Sequence, residues 1–367
     1  MSLLNSRFGY LNKAINNVFM RVIINSYFFA FAVLFLLTFS KKASAQTNAA
    51  SASIQKCKKY LIFRNYGEAL TELNKISVSQ MSENETVEFH LIRGKSYAGL
   101  KQYKEAILDL NFAANKSSSN FEAYNLIGLC NLELEQYKEA IFNLNKSLQI
   151  NGMYGDAFLN SGIAFTKLNL FDSAMLDLNK AVTILKDNPM AFCMRGVCEK
   201  NKKDFTSALN DANKAIELDY NCLDAYLLRA DLKTINKDFK GAITDLNNAA
   251  ELDEANELIF YNRALAKIQT NDFKGAEKDL KIVIELKPEY TYAYYYMGNN
   301  KMNMMDTKGA IDWYSKAIVM NANDSQIYYK RGLAKFKSGD KSGACNDFKK
   351  AAQMGNLLAG EEIKNCK

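Results

Sequence analysis

The chain has 367 residues, of which 47 are basic and 40 acidic, and its formal net charge is +7. Five basic residues and no acidic residue precede Gln46, so the remainder carries 42 basic and 40 acidic residues. This near-neutral remainder gives no reason to expect nucleic acid binding. One histidine and the absence of Cys-x-x-Cys, nucleotide-binding and hydrolase motifs argue against a metal site, a cofactor and a catalytic site.

Residues 1–45 are predicted to be an export signal, with a possible start at Met20. An 18-residue, mostly apolar run at 22–39 leads to Ala43-Ser44-Ala45, a small-x-small cleavage site. Cleavage there would make Gln46 the first mature residue and predicts an exported protein, periplasmic or extracellular. The alternative is that the run remains as a membrane anchor, because its length is close to that of a membrane-spanning helix.

The rest of the chain is dominated by a repeat of 34 residues. A small residue recurs at Gly94, Gly128, Gly162, Gly196, Ala230, Ala264, Gly298 and Gly332. Twelve residues after each lies an alanine, at Ala106, Ala140, Ala174, Ala208, Ala242, Ala276, Ala310 and Ala344. Such a constant period indicates a solenoid, in which each unit buries its apolar face against its neighbours. The offsets within one unit fit two amphipathic helices in an antiparallel hairpin, and the alternation of a strand is absent.

This pattern resembles the tetratricopeptide repeat (TPR) family, which places small residues at positions 8, 20 and 27 of a 34-residue unit. The resemblance implies an all-α fold, an α-solenoid of about nine antiparallel helix pairs in a right-handed superhelix. Residues 46–86 would hold a short linker and a degenerate unit, residues 87–354 eight units, and residues 355–367 a capping helix. The units begin at 87, 121, 155, 189, 223, 257, 291 and 325. The chain departs from the family pattern at position 11, which is often lysine or glutamate.

The resemblance also implies a non-enzymatic scaffold that binds a peptide or protein segment in a concave groove. The groove would be lined by positions 2, 5, 9 and 12 of each first helix, and in the late repeats these are rich in tyrosine. The candidate partner-binding residues are Tyr261, Tyr292, Tyr295, Asn299, Met302 and Tyr329. The alternative for these rings is simple packing between adjacent helices. The family's carboxylate clamp is missing around Asn160 and Asn262, which argues against an adaptor for chaperone tails.

A second functional hypothesis follows from the N-terminal alternative. An uncleaved run would make the protein a membrane-anchored envelope assembly factor, and membrane contact is expected only in that case. The partner in either hypothesis is a protein or peptide whose identity the repeat does not encode.

Position 7 is arginine in five repeats, and each arginine is followed sixteen residues later by aspartate. In an antiparallel hairpin these positions lie nearly opposite, so we predict Arg–carboxylate contacts, several of them bidentate. The alternative is that both residues are solvated surface charges. The predicted pairs are Arg93 with Asp109, Arg195 with Asp211, Arg229 with Asp245, Arg263 with Asp279, and Arg331 with Asp347.

The remaining predictions concern His90, the cysteines and the C-terminus. His90 occupies a slot that holds an aromatic ring in the other repeats and is interpreted as a packing residue. Five cysteines are interpreted as unpaired core residues, at positions 57, 130, 193, 198 and 222. A fold-back near Gly355 would bring Cys345 and Cys366 together as a possible disulfide, although two free thiols would give the same sequence. The apolar stripe of the cap would be Leu357, Leu358 and Ile363.

Overall fold

The structure is a computed structural model that describes residues 50–78 and 81–366. The chain divides into two compact units, Met1–Ala164 and Phe165–Lys367. Over the described ranges every regular element is helical, which confirms the all-α class. None of the helices in these ranges is both long and apolar enough to cross a membrane. The predicted export signal lies outside the described residues.

The first unit is built from helices that pack on their sequence neighbours. Helix α1 covers 50–62 and, with α2, corresponds to the degenerate unit. Consecutive helices form antiparallel pairs, α3 with α4 and α5 with α6. The helices are α2 (Tyr66–Leu73), α3 (Glu83–Gly99), α4 (Tyr103–Lys116), α5 (Phe121–Glu133), α6 (Tyr137–Ile150) and α7 (Gly155–Lys167), of which α7 crosses the division between the units.

The second unit continues the same alternation. It contains α8 (Phe171–Ile184), α9 (Pro189–Asn201), α10 (Phe205–Leu218), α11 (Leu223–Ile235), α12 (Phe239–Leu252), α13 (Glu257–Gln269), α14 (Phe273–Leu286), α15 (Thr291–Asn303), α16 (Thr307–Met320), α17 (Ser325–Lys337), α18 (Lys341–Gln353) and α19 (Leu357–Glu362). A short 3₁₀ turn, Ile363–Asn365, follows α19. The helices from α9 to α18 pair two by two, one pair for each repeat.

The small residues lie where paired helices approach each other. A Cβ built on Gly128 would lie only 2.5 Å from Leu144 Cγ and 3.3 Å from the carbonyl oxygen of Ala140. Ala140 and Leu144 are themselves fully buried. Because a side chain at residue 128 has no room, the spacing of the two helices depends on the glycine.

The turn inside each repeat has a constant geometry. One residue with positive φ ends the connection after each first helix, at Lys101, Glu135, Asn169, Lys203, Lys237, Asn271, Met305 and Gly339. The next residue is the N-cap of the second helix, and in the last five repeats it is an aspartate. Asp238, for example, accepts a hydrogen bond of 2.9 Å from the backbone N–H of Gly241. The cap satisfies a donor that the first turn would leave unpaired.

The C-terminal cap folds back onto the last repeat. Gly355 has a φ of +87° and ends the segment after α18, as expected of a left-handed helix terminus. Cys345 and Cys366 are joined by a disulfide, with Cα atoms 5.7 Å apart. The predicted apolar stripe is wrong in part, because the side chains of Leu357 and Leu358 are exposed, at 87% and 53%.

The face of the cap that packs is a different one. Ala359 is fully buried, and Ile363 packs against the same cluster of the last repeat, which includes Phe348. These two residues are four apart and share one side of a helix. Since α19 has only six residues, it presents a single narrow face to α18.

Candidate functional site

The second unit contains a groove of about 730 Å³ formed mainly by first helices of consecutive repeats. Side chains from α9, α11 and α13 form its walls, and Tyr296 of α15 also lines it. Its apolar lining includes Met194, Val197, Leu227, Leu258 and Leu265. Leu258 is 50% exposed, so the groove is open to a ligand with apolar side chains.

Polar side chains border this apolar surface. Lys200 donates a hydrogen bond of 2.6 Å to Asp231, which partly neutralises both groups. Asp224 is exposed and forms no salt bridge with any described residue. The amides of Asn262 and Gln269 are also exposed along α13. An amide both donates and accepts hydrogen bonds, so these two can pair with a peptide backbone.

A chain of tyrosine rings continues from Tyr296, which lines the groove. Tyr296 contacts Tyr261 and Tyr295, with ring centroids 5.7 and 5.1 Å apart. Tyr261 also meets Tyr290 edge-on at 5.2 Å. Burial, helped by the neighbouring rings, raises the pKa of Tyr261 above its usual value. We call the set Tyr261, Tyr290, Tyr292, Tyr295, Tyr296 and Tyr314 the tyrosine chain.

The candidate binding residues are not gathered in one cavity. Tyr261, Tyr292 and Tyr295 belong to the tyrosine chain. Asn299 accepts a hydrogen bond of 2.7 Å from the hydroxyl of buried Tyr314. Met302 packs on a core cluster, and Tyr329 lies against Phe348 in the last repeat. None of the six lines the groove itself.

The groove lies one to two repeats closer to the N-terminus than the tyrosine-rich positions. Its lining still follows positions 2, 5, 9 and 12 of the first helices, as in Asp224, Leu227, Asp231 and Thr234 of α11. Tyr290 and Tyr296 were not among the candidates. Their signal in the sequence is modest: Tyr290 ends one repeat, and Tyr296 directly follows Tyr295.

The five arginines of position 7 each bind the aspartate sixteen residues later through two hydrogen bonds. Nε and Nη2 donate to the two carboxylate oxygens over 2.6–3.0 Å in every pair. All five aspartates are buried, with exposed fractions of 6% or less. Within the repeats that carry them, these charges are therefore structural ion pairs and not solvated surface groups.

In four of the five arginines the third guanidinium nitrogen extends the contact to the preceding repeat. Nη1 of Arg229 donates to the side chain of Asn213 at 2.9 Å, and Arg263 does the same to Asn247 at 3.0 Å. Arg195 and Arg331 make equivalent bonds to Asn179 and Ser315. Each of these arginines joins three helices, so it positions a repeat against its neighbour.

Position 11, the departure from the family pattern, belongs to the same network. Lys233, Lys267 and Lys335 each lie 2.8 Å from the second carboxylate oxygen of the aspartate in their own repeat. Two cations then share one buried carboxylate. Lys301, whose repeat has Trp313 in place of the aspartate, instead pairs with Glu277 at 3.0 Å.

Glu199 occupies position 11 in repeat 189–222 and breaks this pattern. Its side chain is buried beside Asp211, and one carboxylate oxygen makes no hydrogen bond to any described residue. Burial, followed by the charge of Asp211, raises the pKa of Glu199 to about 7. Arg195, 3.9 Å away, offsets the effect only in part.

The packing interpretation of His90 is incomplete. Its ring stacks on Phe112, with centroids 3.9 Å apart. Nδ1 also lies 2.7 Å from Asp109 Oδ1, so the histidine joins the Arg93–Asp109 pair. The shared aspartate explains why an imidazole is accommodated in a slot that holds a plain ring elsewhere.

Comparison with known proteins agrees with this architecture. Residues 121–152 match the family model described as tetratricopeptide repeat. A search of curated protein sequences returned no significant match. The C-terminal part of a TPR repeat-containing protein from Cytophaga hutchinsonii is 19% identical, with a TM-score of 0.55, over 66% of this chain and 98% of that one.

Two further solved structures are similar to parts of this chain. A monomeric mutant of IFIT1 with Gppp-AAAA is 13% identical, with a TM-score of 0.53, over 82% of this chain and 80% of that one. MamA is 25% identical, with a TM-score of 0.43, over 45% of this chain and 96% of that one. The matched repeat recurs with one period from residue 87 onward and folds as helix pairs. The chain therefore contains a tetratricopeptide repeat at residues 121–152, within an array of helix pairs of the same period.

Proposed function

We propose that this protein is a non-enzymatic scaffold that binds an extended peptide or protein segment in the groove of its second unit. The groove carries the proposal, because an open apolar surface bordered by exposed amides suits a peptide better than a compact polar metabolite. Leu227, Leu258 and Leu265 would receive apolar side chains. Asn262 and Gln269 would bond the backbone, and Asp224 favours a cationic residue of the partner.

We further propose that the protein acts after export. The apolar run at 22–39 and its cleavage site support this. The Cys345–Cys366 disulfide is also consistent with it, since such bonds persist in oxidising compartments. The mass of the protein isolated from its own cells is the test: an N-terminus at Gln46 is expected, and an intact 22–39 segment would instead favour the membrane-anchored form.

Affinity capture with matched variants tests the groove. Leu258→Glu places a charge at a half-exposed groove position, where the fold tolerates it. Leu176→Glu makes the same change at a 68% exposed position outside the groove. We expect Leu258→Glu to lose the proteins captured by the wild type and Leu176→Glu to retain them. Equal capture by both variants would contradict a binding role for this groove.

A further inference from the structure

Two cysteines of the second unit lie together in one core cluster. Cys193 belongs to α9, and Cys222 is the residue directly before α11. Both are buried in a cluster whose other members are small or aliphatic, including Ala212 and Ala225. The sequence predicts no partner for either thiol, because they are 29 residues apart in the chain.

The hairpin geometry explains why these two positions meet. They are positions 5 and 34 of repeat 189–222, and the equivalent residues contact each other in other repeats. Tyr261 and Tyr290, at the same two positions, have ring centroids 5.2 Å apart. Asn125 and Tyr154, again at these positions, are joined by a side-chain hydrogen bond. Positions 5 and 34 therefore lie close to each other in more than one repeat.

The two thiols differ in acidity. A hydrogen bond from the Cys193 thiol lowers the pKa of Cys222 below its usual value, and the backbone N–H of Ala225 at the start of α11 acts in the same direction. The same hydrogen bond and burial raise the pKa of Cys193. Burial raises the pKa of the other buried thiols, Cys57, Cys130 and Cys198. Cys222 therefore has the most thiolate character of the five.

The position of Cys222 gives it a route to solvent. It ends the connection between α10 and α11, where the preceding residues Tyr220 and Asn221 are exposed. Its partner, Cys193 of α9, is more deeply buried, with 0% of its surface exposed against 7% for Cys222. This order matches the arrangement of an attacking thiol near the surface and a resolving thiol beneath it.

We propose that Cys193 and Cys222 form a redox-active dithiol that closes to a disulfide by exchange with a low-molecular-weight disulfide. The Cys222 thiolate attacks one sulfur of the incoming disulfide, and the other sulfur leaves as a thiolate. Cys193 gives its proton to solvent and attacks the Cys222 sulfur, which releases the second thiolate. One disulfide is consumed, one is formed, and the two thiolates leave as thiols after protonation. The proposal does not depend on what the groove binds.

Oxidised glutathione is a suitable probe on the full native chain. After incubation, denaturation and alkylation, non-reducing peptide mapping should recover residues 193 and 222 in one crosslinked pair, two hydrogens lighter than the two free-thiol peptides. Cys57, Cys130 and Cys198 should be alkylated and serve as internal controls. Alkylation of Cys193 and Cys222 to the same extent as these controls, or a bond from Cys222 to Cys198, would overturn the proposal.

A variant separates the two steps. In Cys193→Ser the resolving thiol is absent, while the hydroxyl can still donate a hydrogen bond to Cys222. We expect Cys222 to accumulate as a mixed disulfide with glutathione in the variant and not in the wild type. A Cys222 that remains a free thiol in the folded variant would contradict its assignment as the attacking group. The wild-type mapping stands as a test even where the variant does not fold.

Discussion

Arg229 and Asp245 form a bidentate ion pair between the paired helices α11 and α12, with N···O distances of 3.0 and 2.6 Å. The same guanidinium reaches Asn213 of the preceding repeat, and Lys233 shares the carboxylate. Asp245 is fully buried, so its charge depends on these two cations. The pair is therefore a connection between repeats as well as within one.

Removal of the carboxylate alone should be strongly destabilising. Asp245→Asn leaves Arg229 and Lys233 without their shared anion, and we expect a loss of about 3 kcal/mol. The chain offers a control, because repeat 121–154 carries Ile127 and Asn143 at these positions. The double variant Arg229→Ile, Asp245→Asn should lose less than the sum of the two single variants. Denaturant unfolding of all four proteins measures this coupling, and strict additivity would argue against it.

Lysine at position 199 should stabilise the protein. Glu199→Lys would place a cation beside Asp211, as Lys233 does beside Asp245, and remove a buried like-charge contact. We expect a gain of about 1–3 kcal/mol in the free energy of unfolding. Glu199→Gln, which removes the charge without adding a cation, should gain less. A loss of stability in Glu199→Lys would show that the site beside Asp211 cannot accommodate the longer side chain.

The raised pKa of Glu199 has a defined effect on pH dependence. An ordinary glutamate titrates near 4.5 and the folded group near 7, so between these values the folded protein holds a proton that the unfolded chain has lost. The contribution of Glu199 to stability therefore falls as the pH rises from about 4.5 to about 7, by on the order of 3 kcal/mol. The difference in unfolding free energy between Glu199→Gln and the wild type should widen over this range. A constant difference would show that Glu199 titrates normally.

Much of the fold follows from the sequence, because the same spacing of small and charged residues recurs from one repeat to the next. Alanine or glycine every 34 residues marks the close approach of two helices, as between Gly128 and Leu144. The interval of sixteen residues is enough to place Arg229 opposite Asp245. The same interval precedes Arg229 at Asn213, so the contact between repeats also leaves a trace in the sequence.

The groove and the cysteine pair are harder to predict. A groove depends on how far side chains such as Leu227 and Leu265 project and on the spacing of helices, which a repeat pattern does not specify. Tyrosine at position 5 indicates rings that pack on each other, as Tyr261 does on Tyr290. It does not indicate where the open groove lies. To predict that Cys193 and Cys222 lie close together, one must know that positions 5 and 34 of a repeat are in contact.

A side chain at residue 128 should disturb only its surroundings. Gly128→Leu forces the side chain of Leu144 and the carbonyl of Ala140 away from α5, at a loss of about 1–3 kcal/mol or more. Gly67→Ala is the control, since a Cβ there meets nothing within 4 Å. Hydrogen exchange should accelerate in α5, α6 and their neighbours and remain unchanged in the last repeats. An even acceleration over all repeats would contradict the solenoid description.

Site-specific photo-crosslinking tests the proposed function most directly. A photoreactive residue placed at Leu258 or Leu265 reports what enters the groove in the producing cells, and one at Val319, which is 86% exposed and outside the groove, reports chance encounters. We expect both groove positions to crosslink the same polypeptide, through a segment with apolar side chains, and Val319 not to crosslink it. Equal crosslinking from Val319, or none from either groove position, would contradict the proposal that this groove binds a partner.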